Sequence, residues 1–167
     1  TFTGTGVFII GQGEVAVIDP GPLDPAHEAA LDAALEGERV THVLVTHHHM
    51  DHSPLAARLA AKHGAKVHAM SPARLPPEGG EVRMEAGDDE GFHPDIEAAD
   101  GDVFEGPGWT LTALHTPGHT PEHVAFVVAD LTRGELPWCV FSGDTLFTGD
   151  VGRPDLFPEQ KESLAKQ

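Results

Sequence analysis

Residues 46–52 read Thr-His-His-His-Met-Asp-His and follow a β-prone run at residues 40–45. A strand that ends in so many donor side chains constrains the fold more than any other part of the chain. In sheets covered by helices, strand ends are common places for sites. His47 and His49 are two apart, so extended backbone points them to one side and His48 to the other. Asp51 and His52 follow where the chain can turn into a helix, presenting a second pair beside the first. Neutral imidazole and ionised carboxylate are the usual nitrogen and oxygen ligands of zinc and non-haem iron. The cluster therefore reads as a candidate metal site of a catalytic kind, in preference to a solvated histidine-rich turn.

The flanking sequence supplies a sheet and helices around that strand. Val7-Phe-Ile-Ile10 and Glu14-Val-Ala-Val-Ile18 flank Gly11-Gln-Gly13, which predicts a hairpin. Asp24-Pro25 starts a helix with Asp as cap and Pro in the first turn, and Gly37 stops it. Its apolar face is Ala29, Ala30, Leu31, Ala34 and Leu35, with His27 on the surface. Ser53-Pro54 opens a second helix that ends at Gly64, and a strand follows over 65–69. Residues 71–105 are acidic and rich in Pro and Gly, predicting a long excursion with short strands at most, lying over the site. Further strands are expected over 109–114, 124–128 and 138–141, the last one buried, with Cys139 as a small core residue. His63, His68 and His115 are expected as surface or structural residues, and His93 as a loop residue. Strands alternating with helices and antiparallel hairpins predict a layered α/β architecture.

Two more strand ends carry donors. The Pro117-Gly118 turn projects His119 from the strand that ends near 114, and Gly143-Asp144 sets a carboxylate at the end of the strand over 138–141. The formal charge of −17 disfavours nucleic acid and anionic membranes as partners. No run approaches the roughly 18 apolar residues that span a bilayer. One cysteine among 167 residues permits no intramolecular disulfide and fits a cytoplasmic setting. Oligomeric state is left open, a homodimer included.

With these residues in view, His47-x-His49-x-Asp51-His52, His119 and Asp144 resemble the metallo-β-lactamase superfamily. The resemblance implies a four-layer αβ/βα sandwich formed by residues 1–167 as a single domain. It implies that His47, His49 and His119 hold a first metal, that Asp51 and His52 belong to a second, and that Asp144 bridges them. The superfamily's last ligand is a histidine well beyond Asp144, whereas no histidine follows His123 here. The expectation is thus a domain lacking its C-terminal end. The front of the chain, with Asp19-Pro-Gly-Pro22 and Thr46-His-His-His-Met-Asp-His-Ser-Pro54, is similar to hydrolytic members related to the β-lactamase-like protein 2 group. Gly118-His-Thr-Pro-Glu-His123 and the stretch from Ser142 to Leu156 resemble persulfide dioxygenases, glyoxalase II-like enzymes that oxidise glutathione persulfide with one iron.

The hydrolytic reading expects two zinc ions that lower the pKa of a shared water, so that hydroxide attacks a thioester, lactone, lactam or phosphoester. Asp51 is its catalytic residue, orienting the water and relaying a proton. The alternative expects a mononuclear iron held by His47, His119 and Asp144, with open positions for oxygen and a persulfide. A third reading is a truncated or non-catalytic metal-binding domain. Arg153 is the candidate anchor for an anionic small-molecule substrate. The hydrolytic pattern of Met50-Asp51-His52-Ser53-Pro54 favours the first reading.

Overall fold

Gly11 and Gly13 adopt φ of 106° and 79°, a backbone region that L side chains rarely enter, and so close the predicted hairpin. It joins β1 (Phe8–Gln12) to β2 (Glu14–Ile18) in antiparallel pairing. The computed structural model describes residues 4–71, 87–147 and 149–151. Asp24 caps helix α1 (Pro25–Ala34), its carboxylate accepting the His27 N–H at 2.8 Å. Of the expected apolar face only Leu31 and Leu35 are buried. His27 is a correction: it is half-buried, with Nε2 2.7 Å from the Pro20 carbonyl.

Helix α1 leads to β3 (Arg39–Leu44), and helix α2 (Ala56–His63) leads on to β4 (Lys66–Ala69). The Ser53-Pro54 stretch makes a turn, and α2 begins at Ala56. Parallel strands need such crossovers, because a tight turn reverses direction. With β5 (Ile96–Glu97) these strands form a five-stranded sheet in the order β1-β2-β3-β4-β5. Alternation in β2 sorts its side chains between two cores. Val15 and Val17 pack with Leu31, Leu35, Leu55 and Leu59 of the helical side. Ala16 and Ile18 face Phe104, Leu111, Val124 and Phe126 of a second sheet. Each fully buried Val or Leu stabilises the fold by ~1.5–3 kcal/mol, so the two-sided β2 anchors both layers.

The second sheet is antiparallel, in the order β6 (Val103–Gly106), β7 (Trp109–His115), β8 (Val124–Asp130), β9 (Pro137–Phe141). Helix, sheet and sheet make three layers of the αβ/βα sandwich, and no helix among the described residues covers the outer face of the second sheet. Strand β9 corrects a second expectation. It is an edge strand with Trp138 58% and Val140 54% exposed, and Cys139 is only half-buried. A 3₁₀ turn (Gly143–Thr145) and a two-stranded ribbon of β10 (Leu146–Phe147) and β11 (Asp150–Val151) follow. No described helix is long and apolar enough to cross a membrane.

The topology gathers the donor-bearing strand ends. Strands β7 and β9 both run antiparallel to β8, so their C-terminal ends lie on the same side. The Val124 N–H at the start of β8 donates to the Thr46 carbonyl at 2.9 Å, bringing the loop after β3 to that same edge.

Between the sheets, His42 and His68 stand ring to ring at 5.5 Å and both pack on Phe104. Burial lowers the pKa of each; for His68 the neighbouring His42 adds to this, and Asp95 and Asp102 oppose it. Both are therefore neutral in the folded chain, whereas an unfolded imidazole takes up a proton near pH 6.5. The unfolded state then binds more protons at acid pH, so this contribution is complete above 6.5 and is lost as pH falls below it. The urea midpoint is expected to decline below about pH 6.5 and to decline less in His68→Leu. Equal slopes in the two proteins would refute the assignment.

Candidate metal centre

Three segments meet at the edge described above: residues 46–52, His119 beyond β7, and Asp144 beyond β9. His47 Nε2 lies 3.0 Å from His49 Nδ1, which lies 3.1 Å from His119 Nε2. These three form one group whose donor atoms all fall within 4.8 Å of each other. His47, His52 and Asp144 form a second such group, so His47 is common to both. Asp144 faces both: Oδ1 lies 3.4 Å from His52 Nε2 and Oδ2 lies 3.6 Å from His119 Nε2.

The partners of the outward ring nitrogens set the tautomers. Asp19 is 2% exposed, and its carboxylate accepts the Thr46 N–H at 2.7 Å and the Thr46 hydroxyl at 2.8 Å. Since that hydroxyl proton goes to Asp19, the Thr46 oxygen accepts from His47 Nδ1 at 3.0 Å, which leaves His47 Nε2 as a bare donor atom. Asp19 also takes the Nδ1–H of His52 at 2.9 Å. Asp88 lies 3.3 Å from His49 Nε2, so His49 presents Nδ1 inward. Carboxylates behind ligating imidazoles orient the ring and raise its basicity.

This arrangement fits a metal on the evidence of its orphaned atoms. His52 Nε2 is buried without a hydrogen-bond partner, its nearest carboxylate oxygens being those of Asp144 and, at 3.6 Å, Asp51. Burial opposes a charge on His52, but Asp144 and Asp19 outweigh it and raise its pKa to about 10. A divalent cation would compete for the position of that Nε2 proton. Burial, reinforced by the surrounding imidazoles, holds His47 well below 6.5, and burial first of all lowers His49 and His119. Burial works against the Asp144 carboxylate, but His52 keeps its pKa below the usual value. Neutral imidazoles and an ionised carboxylate are the states that bind metal. The set contains no thiol, which suits zinc or non-haem iron in a catalytic rather than a closed structural site.

Asp51 lies at the open rim of the site. Its side chain is 58% exposed and accepts the Thr5 hydroxyl, and it belongs to neither donor group. His48 points away as expected and pairs with Glu122, a carboxylate only 3% exposed. Burial opposes ionisation of Glu122, but His48 outweighs it and lowers its pKa. The pair ties the loop after β3 to the loop after β7. His115 is exposed, with Nε2 2.8 Å from the Pro121 carbonyl. Arg153 lies outside the described residues.

Four contributors were not singled out from sequence: Asp19, Asp88, Thr46 and His123. His123 is fully buried, and its Nε2 accepts the Asp144 N–H at 3.1 Å. Its Nδ1 proton faces the hydroxyls of Thr116 and Thr145. Burial, then His119, pushes its pKa down to about 3. His123 therefore stays neutral and fixes the turn that carries Asp144. Gly143 permits this approach: a Cβ there would stand 2.6 Å from His123 Nε2 and 2.8 Å from Thr46 Oγ1. The only signal available in sequence for His123 was its place in the Gly-His-Thr-Pro-Glu-His motif.

The comparisons with known proteins agree with this architecture. The family model described as metallo-beta-lactamase superfamily matches residues 2–166. A hydroxyacylglutathione hydrolase from Rhodopseudomonas palustris is 35% identical over 148 residues, 86% of this chain and 50% of that protein. The chain spans about half the length of the curated relatives it matches. Among solved structures, a metallo-beta-lactamase from Staphylococcus aureus is 26% identical with a TM-score of 0.67, covering 98% of this chain and 50% of its own. ETHE1 from Myxococcus xanthus, 22% identical with a TM-score of 0.64, covers 92% of this chain and 58% of its own, and shares the fold. A match over nearly the whole chain places it: this chain belongs to the metallo-beta-lactamase superfamily.

Proposed function

We propose that residues 1–167 form one domain of a metal-dependent hydrolase that cleaves a small-molecule acyl thioester. The observation that carries this reading is a pair of adjoining donor groups with Asp144 turned toward both, one carboxylate oxygen to each side. Paired groups of this kind suit two metals side by side, zinc by the chemistry of the donors. His47, His49 and His119 would hold one, His52 the other, and Asp144 would offer one carboxylate oxygen to each. Bound divalent metals lower the pKa of water and polarise a carbonyl. The thioester class is supported by relatives that are hydroxyacylglutathione hydrolases.

In this reading Asp19 and Asp88 hold His52 and His49 in the ligating tautomer, and the His48–Glu122 pair keeps the two loops in register. Asp51 stands beside His52 with its carboxylate open to the cleft, where it orients the attacking water and accepts a proton at a carboxylate oxygen. Water adds to the carbonyl carbon, the C–S bond breaks, and the proton passes to the departing sulfur. His47, His119 and Asp144, the set of the dioxygenase alternative, also lie close together, and the hydrolytic reading is supported instead by the hydroxyacylglutathione hydrolase relatives. The test is metal analysis of the purified protein with two assays. Zinc at about two per chain with free thiol released from acyl thioesters, hydroxyacylglutathione included, is the expected result. Near-stoichiometric iron with oxygen uptake on glutathione persulfide would overturn it.

A further inference from the structure

We propose that the cleft beside the donor cluster is an acyl-chain site that takes an apolar, uncharged acyl group. This rests on the hydrolase reading and names the substrate it selects. The cleft is about 960 Å³, at the upper end of the roughly 300–1,000 Å³ usual for small-molecule sites. Its floor carries Asp51, His52, His119 and Asp144, so whatever enters it reaches the donor cluster. Its walls are Phe8, Val140, Phe141, Leu146, Phe147 and Val151. Phe8 of β1 meets Phe141 of β9 with ring centroids 4.4 Å apart, which joins the edges of the two sheets along one wall. The β10–β11 ribbon, which starts two residues after Asp144, supplies the other wall.

Phe141 also packs on the core between the sheets, but the other walls keep much of their apolar surface open. Leu146 is 59% exposed, Phe147 48%, Val140 54% and Phe8 40%. Apolar surface gathered at the mouth of a polar site marks a binding surface. The charge of the cleft selects the ligand further. Among the described residues that line it there is no Lys or Arg, while Asp19, Asp51 and Asp144 are all present. Among those described residues a substrate carboxylate has no cationic partner, whereas an alkyl or aryl acyl chain would displace water from Leu146, Phe147 and Phe8. The carbonyl carbon then sits at the donor cluster and the chain runs along the apolar wall.

Inert methyl ketones probe the site without turnover, since their carbonyl and chain mimic the acyl half of a thioester. Titration calorimetry on the purified protein is expected to show 2-nonanone binding at least tenfold more tightly than 2-pentanone. Each fully buried methylene is worth about fourfold, and a partly open wall returns part of that. In the double variant Leu146→Ser, Phe147→Ser, both at exposed positions, the chain-length preference is expected to fall at least threefold. Equal affinity for the two ketones would overturn the proposal, as would an unchanged preference in the variant. A wall that binds no ketone but whose double variant breaks a dimer would also overturn it, because the surface would then belong to a second copy. Thiol release reports separately on the reaction: ketone discrimination without any thioester cleavage sinks the hydrolase reading and leaves the apolar site. Cleavage without ketone discrimination does the reverse.

Discussion

Replacing Asp144 with Ala is expected to weaken both metals at once. The prediction follows from geometry, since its two carboxylate oxygens face the two sides of the site, Oδ1 toward His52 and Oδ2 toward His119. Removing even a carboxylate behind a ligand costs about 10–100-fold in metal affinity, so losing one that faces both positions is expected to cost at least that at each. His49→Ala is the internal control. His49 belongs to one group only, and its loss should spare the metal held at His52 and Asp144. The Asp144 side chain is 25% exposed and its N–H still donates to His123 Nε2 in any variant, so truncation disturbs the packing little. Asp144→Asn keeps the side-chain volume without the charge, and it should lose metal nearly as fully as the alanine variant. Metal content after dialysis, with circular dichroism to confirm folding, decides the matter. Retention of two metals in Asp144→Ala, or equal losses in the Asp144 and His49 variants, would break the assignment of Asp144 to both positions.

The parts of this site that were legible in sequence are those written locally. An apolar run followed at once by His47, His49 and His52 announces a strand end with donors, and His119 and Asp144 repeat that grammar after β7 and β9. The caps of α1 and the glycines of the first hairpin are equally local. What escaped is non-local. Asp19 reaches Thr46 and His52 from the end of another strand, and it does so at φ 49°, a backbone state for which its neighbours give no sign. Asp88 arrives in an acidic stretch without periodicity, where no carboxylate stands out from the next. Asp51 stands 3.6 Å from His52 Nε2 but is largely exposed and reaches Thr5 as well, a contact with a distant segment that no local pattern announces. Strand β9 reads as core because it is apolar, yet its apolar side chains lie at an edge and along the cleft. Hydrophobic composition reports the strand and is silent on what covers it.

Asp19→Ala is expected to damage the protein twice over, in stability and in metal binding, because one buried carboxylate serves both. Its oxygens accept from the Thr46 N–H, the Thr46 hydroxyl and His52 Nδ1, all buried. Truncation strands these donors with no water to replace the acceptor, and breaking a buried charged network in this way costs about 3–5 kcal/mol. It also frees the His52 ring, whose Nε2 loses its orientation and its basicity, so the metal held with Asp144 should weaken by about 10–100-fold. The first group should weaken less. Asp19 touches it only through the Thr46 hydroxyl, which can still accept the His47 Nδ1 proton. Asp19→Asn separates the two effects. The amide keeps an acceptor for one donor and the side-chain volume, so stability should recover in part, but no negative charge remains to support His52 as a ligand. Thermal unfolding of the chelator-treated variants, read beside competition titrations with zinc, tests both halves. If Asp19→Ala held its second metal as tightly as the parent protein, the carboxylate would be a packing element alone, and the Asp19–His52 pair would have no part in positioning the ligand.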